Sequence, residues 1–68
     1  MRLRVNGEAR ELDDGATVRD VLALLELAPD ARGVAVAVDA EVVPRGSWDE
    51  TELPDGAHVE VLTAIQGG

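Results

Sequence analysis

Cysteine, lysine, phenylalanine and tyrosine are all missing from this 68-residue chain. Each absence removes a class of chemistry. Without cysteine there is no disulfide, no thiol nucleophile or redox centre and no thiolate metal site, while the redox compartment is left open. Without lysine there is no side-chain amine for a Schiff base or for chain building through lysine linkages. Trp48 is the only aromatic residue, so the 46% apolar content comes almost entirely from Val, Leu and Ala and predicts a compact aliphatic core. Long apolar runs are also missing. No stretch approaches transmembrane length, and Met1 to Gly7 lacks the apolar run of a signal peptide, so a cytoplasmic protein is expected.

Positive charge is scarce as well. Six arginines against fourteen acids give a net charge of -8, with the acids spread along the chain. Nucleic acid and anionic membranes are therefore poor partners. A protein with a basic surface is a better one, and solubility is an equally good reason for the acidity; charge alone does not separate the two. A domain this small buries only roughly 60% of the surface its unfolded form exposes, which leaves little material for an enclosed active site. Function belongs on the surface or at an end.

Leu3 and Val5 alternate with Arg2, Arg4 and Asn6, the period of a half-buried strand, and Asn6-Gly7 signals a two-residue hairpin into a second strand through about Leu12. Asp13-Asp14-Gly15 breaks the pattern. Thr17 is placed to cap a helix, with Asp20 three residues on. Val18, Val21, Leu22 and Leu25 recur at helical spacing, Leu24 and Leu27 widen that stripe, and the helix should end before Pro29. Val34 to Val38 alternates valine with alanine and predicts a strand with its valines facing the helix. Asp39-Ala40 reads as a tight turn into a short strand, Glu41 to Val43, which Pro44 limits to a sheet edge. Arg45 to Gly56 reads as an irregular crossover, and Ala57 to Ile65 as a long strand suited to the sheet centre. The smallest two-layer solution is an α+β arrangement, one helix packed across one face of a mixed four- to five-stranded sheet, the β-grasp. The expected domain is residues 1–65, with a flexible tail at 66–68.

Internal chemistry is hard to find. His58 lacks triad or metal partners, and a solvated position on the outward face of a strand accounts for it. Ser47, Thr51 and Thr63 have no base at recognisable spacing. Asp49, Glu50, Glu52 and Asp55 do not match a calcium loop and are better read as a solvated surface. No G-x-x-x-x-G-K-[ST] loop is present, so any ATP used must be held by a partner. The end Gln66-Gly67-Gly68 is what remains. Two glycines can pass a constriction and let another backbone approach closely. Such an end is either frayed or a working tail, and on a β-grasp domain with no other chemistry the second reading is favoured.

Several short motifs in fixed order carry a resemblance: Val5-Asn6-Gly7-Glu8, Gly15-x-Thr17-Val18, Val36-Ala37-Val38-Asp39, Val43-Pro44-Arg45-x-x-Trp48, Asp55-Gly56 and Ile65-Gln66-Gly67-Gly68. Over nearly its whole length the chain resembles the ThiS family, ubiquitin-like sulfur carriers of thiazole formation in thiamine biosynthesis. The resemblance implies a carrier rather than an enzyme. An E1-like adenylating enzyme (ThiF-like) would activate the Gly68 carboxylate with ATP and Mg, which the chain itself does not bind. Sulfur from a donor such as a cysteine desulfurase system would replace AMP to give a thiocarboxylate, and a thiazole synthase (ThiG-like) would accept it. The small subunits of molybdopterin synthase share the fold and the Gly-Gly end and are the alternative; a ubiquitin-like protein modifier is another. Val43-Pro44-Arg45-x-x-Trp48 favours the thiazole pathway, with Arg45 and Trp48 as structural anchors of the crossover. Asp39, where the family often has Asn, and Ala40 depart from the pattern and bear on the local turn alone.

The strand alternation also predicts a docking surface. Leu62 and Ala64 should face away from the helix beside Ala35 and Ala37, with Ile65 leading to Gln66, Gly67 and Gly68. That flat apolar patch is expected to dock both the activating enzyme and the acceptor, with Leu62 as its main anchor.

Overall fold

A computed structural model describes residues 1–28 and 32–63. The domain boundary expected at residue 65 and the tail 66–68 lie outside them.

The chain opens with a hairpin of β1 (Arg2–Val5) and β2 (Glu8–Glu11). Asn6 and Gly7 both take positive φ, 52° and 84°, as the turn that matches strand twist requires. Helix α1 (Val18–Leu24) follows, then β3 (Val34–Val38), β4 (Glu41–Val43), a single 3-10 turn (Arg45–Ser47) and β5 (His58–Thr63). The five strands form one sheet in the order β2-β1-β5-β3-β4. β5 lies at its centre, parallel to β1 and antiparallel to β3, so the sheet is mixed. This is the β-grasp expected from the element list.

The helix buries Val18, Val21 and Leu22 against Leu3, Val5, Val36, Val59 and Val61 from the sheet. Each such aliphatic side chain contributes roughly 1.5–3 kcal/mol by leaving water. Leu24, predicted to widen the buried stripe, is instead 37% exposed. Two residues beyond Leu22 at about 100° per residue, it is turned well away from the sheet. Leu27 does reach the core, but by the chain reversal after the helix rather than by helical period. The Leu27 N–H donates to Leu22 O at 2.9 Å and the Glu26 N–H to Ala23 O at 3.0 Å, a Schellman ending with Glu26 at φ 60° where glycine is usual.

At the helix start, the Thr17 N–H donates to Asp20 Oδ2 at 2.8 Å, the capping arrangement expected from their spacing. The crossover completes that end. Val18 N–H donates to Thr51 O at 3.1 Å and Arg19 N–H to Trp48 O at 3.3 Å, which gives partners to two donors that no helix can satisfy internally. Trp48 is buried, donates from Nε1 to Val43 O at 2.9 Å and lies under the Arg45 guanidinium at 4.6 Å. The Val-Pro-Arg-x-x-Trp segment is thus a structural anchor, as predicted.

Candidate functional site

The helix covers one face of the sheet and leaves the other open. On β5 the residues opposite the buried Val59 and Val61 are His58, Glu60 and Leu62, all exposed. Leu62 is 67% exposed and stands directly across from Ala35 in the β3–β5 register. Ala35 is exposed and Ala37 half-buried, the latter flanked by Glu60 on one side and Val42 on the other. The structure therefore brings Leu62, Ala35 and Ala37 together on one surface, as the alternation predicted. Ala64, Ile65, Gln66, Gly67 and Gly68 lie outside the described residues.

Val42 was missed. At 76% exposed it is the most exposed large aliphatic side chain described, and its pairing with Ala37 extends the apolar surface to the edge strand. The signal was available: Val43 packs against the core, so its neighbour on a strand must face the other way.

Charge occupies the other end of this face. Arg4 pairs with His58 across the parallel β1–β5 ladder, Glu60 follows on β5, and Arg2 meets Glu11 at 3.5 Å. Arg4 Nη1 donates to Gly7 O at 3.2 Å, beside a shallow depression lined by Asp39, Ala40, His58 and Glu60. The apolar part thus lies toward the C-terminal end of β5 and the charged part toward its start.

Two turn residues hold β5 with their side chains. Asp39 Oδ1 accepts the His58 N–H at 3.0 Å while the Asp39 N–H donates to His58 O at 2.8 Å, so the residue closes the β3–β5 ladder where β3 ends. An aspartate oxygen serves here as well as an asparagine oxygen. Ala40 nevertheless adopts φ 71°, completing a hairpin turn whose second position normally belongs to glycine. Further along β5, Asn6 Oδ1 accepts the Val61 N–H at 2.8 Å.

Among the described residues no group of three His, Cys, Asp or Glu is gathered to hold a metal ion, and no helix is long and apolar enough to cross a membrane. Among the described residues, the apolar part of the open face, Leu62, Ala35, Ala37 and Val42, carries no nucleophilic side chain. What it presents is an exposed apolar patch toward the end of the central strand.

The ThiS family model matches residues 3–68. The chain belongs to the ThiS family. A sulfur carrier protein ThiS of Thermus thermophilus is 38% identical over 64 residues, which cover 94% of this chain and 95% of that protein. The crystal structure of a ThiS thiamine biosynthesis protein from Geobacter metallireducens superposes with a TM-score of 0.75 at 38% identity, covering all of both chains. A thiazole synthase of Paramagnetospirillum magneticum is 38% identical over 68 residues; the chain spans 20% of that protein's length. Family members thus include free-standing carriers of this size, and a larger protein contains a similar stretch.

Proposed function

We propose that this chain is a sulfur carrier for thiazole formation in thiamine biosynthesis, with the Gly68 carboxylate as its working group. The observation that carries the reading is the ThiS match over residues 3–68, which takes in Gln66, Gly67 and Gly68 together with the β-grasp domain. The carboxylate is a poor acyl donor because its leaving group would be oxide. Adenylation by an E1-like activating enzyme supplies AMP as leaving group, with ATP and Mg held on that partner. The terminal sulfur of a persulfide supplied by a cysteine desulfurase system then attacks the acyl carbon and AMP departs with one of the former carboxylate oxygens; a thiol cleaves the resulting acyl disulfide, leaving a thiocarboxylate on Gly68 and a disulfide on the donor side. Thiazole synthase accepts the sulfur. The thiazole synthase with a stretch 38% identical to this chain supports thiazole, rather than molybdopterin, as the destination.

The open face is the docking surface in this scheme, with Leu62 as anchor and Ala35, Ala37 and Val42 around it. Incubation of the chain with the activating enzyme, ATP, Mg and a sulfur source should yield an intact mass shifted by the exchange of one oxygen for one sulfur. An isopeptide-linked adduct in its place would make the chain a modifier, and an unchanged mass would leave only an interaction domain.

A further inference from the structure

Asn6 is the chain's only asparagine. Its backbone forms the first half of the β1–β2 turn, and its side chain makes a contact that the turn does not require. Asn6 Oδ1 takes the N–H of Val61 at 2.8 Å, 55 positions along the chain. In a continuing parallel ladder that N–H would go to a main-chain carbonyl of β1. β1 has already ended at Val5, and the Asn6 N–H donates to Val59 O at 2.9 Å as the last backbone rung. The side-chain amide replaces the acceptor that the departing strand no longer offers.

β5 runs on past this point. Leu62 and Thr63 pair with Ala35 and Val34 of β3, and among the described residues no strand accompanies them on the β1 side. Among the described residues Val61 is thus the last position at which the central strand is held from both sides. Gly68 lies beyond it by a length of chain that spans at most about 25 Å when extended.

We propose that Asn6 is a positioning residue for activation of the Gly68 carboxylate: by clamping Val61 it fixes the position and direction of β5, the strand that leads to it. The inference rests on the sulfur-carrier reading. Asn6 touches no reacting atom and acts through β5. A carboxylate delivered to a phosphorus atom must arrive within about 3–3.5 Å and in line, so the rate is sensitive to the anchor of its tether. Loss of the clamp moves the last two-sided hold back to Val59 and leaves Glu60 to Thr63 held by β3 alone.

Two substitutions separate the turn from the clamp. Asn6→Gly keeps the positive φ and removes the acceptor; Asn6→Asp keeps both. The full-length variants are compared with the unaltered chain by amide hydrogen exchange at Val61 and by ATP–pyrophosphate exchange with the E1-like activating enzyme, at a temperature where all three are folded. Asn6→Gly should speed exchange at Val61 and lower kcat about tenfold with KM within about twofold, and Asn6→Asp should restore both. Unchanged Val61 exchange, unchanged kcat, an effect on KM alone, or failure of Asn6→Asp to restore kcat would each overturn the proposal. If the unaltered chain is itself not adenylated, the sulfur-carrier reading fails and this inference with it. Adenylation of the unaltered chain and of Asn6→Gly at equal rates defeats this inference alone.

Discussion

Ala40 and Glu26 hold left-handed backbone, φ 71° and 60°, with side chains that add a steric penalty there. Relief of that penalty, about 1–2 kcal/mol, is partly offset by the greater freedom glycine gives the unfolded chain. Ala40→Gly is therefore expected to stabilise the domain by about 1 kcal/mol, a rise in Tm of about 4–8 °C in thermal unfolding followed by circular dichroism. Glu26→Gly should give a similar gain, because the Schellman hydrogen bonds use backbone groups that the substitution leaves in place. Asp39 also lies at positive φ, 49°, but its side chain makes a hydrogen bond that theirs do not and a short polar side chain tolerates this backbone. Its Oδ1 closes the β5 ladder, so Asp39→Asn should be close to neutral while Asp39→Gly loses the His58 hydrogen bond and about 1 kcal/mol with it.

At the scale of elements, the seven-residue helix is short for independent stability, and its N-terminal donors depend on the crossover. Trp48 is the pin. Its Nε1 ties the crossover to Val43 at the end of β4, and its own carbonyl receives the Arg19 N–H. Trp48→Phe keeps an aromatic ring but removes the hydrogen bond to the Val43 carbonyl and shrinks the packed volume, which should cost about 2 kcal/mol by urea titration. The cost should appear together in helix and sheet signals, since the crossover joins the two layers. Separate transitions would show that helix and sheet do not depend on this pin.

For the molecule as a whole, the proposed scheme gives docking to the open sheet face and the chemistry to Gly68. Docking and chemistry should therefore fail separately. Leu62→Arg places a charge on the exposed apolar surface without touching the core, so it should raise KM for the activating enzyme and weaken binding to thiazole synthase while Tm stays within about 2 °C. Val42→Arg should act in the same direction, since its side chain continues that surface through Ala37. Unchanged affinity in both variants would remove the open face as the docking surface. Deletion of Gly68 should abolish adenylation, and an equally active truncated chain would remove Gly68 as the working group.

Much of this is legible in the sequence. The alternation in β1, β3 and β5, the Asn-Gly turn and the Thr17–Asp20 cap are written in neighbours a few residues apart. The resemblance to the ThiS family rests on motifs in linear order. Those features were enough for a β-grasp with β5 at its centre and for placing Leu62, Ala35 and Ala37 on the face turned away from the helix. What tertiary structure alone decided are contacts between distant segments: Leu62 across from Ala35, the crossover carbonyls on the helix start, and Asn6 on Val61. The helix end and the exposure of Leu24 escaped for a related reason, because no glycine marks the Schellman turn and Leu27 packs only once the chain has reversed. Local periodicity assigns a residue to a face; strand order and register choose its neighbour, and they depend on the whole sheet at once.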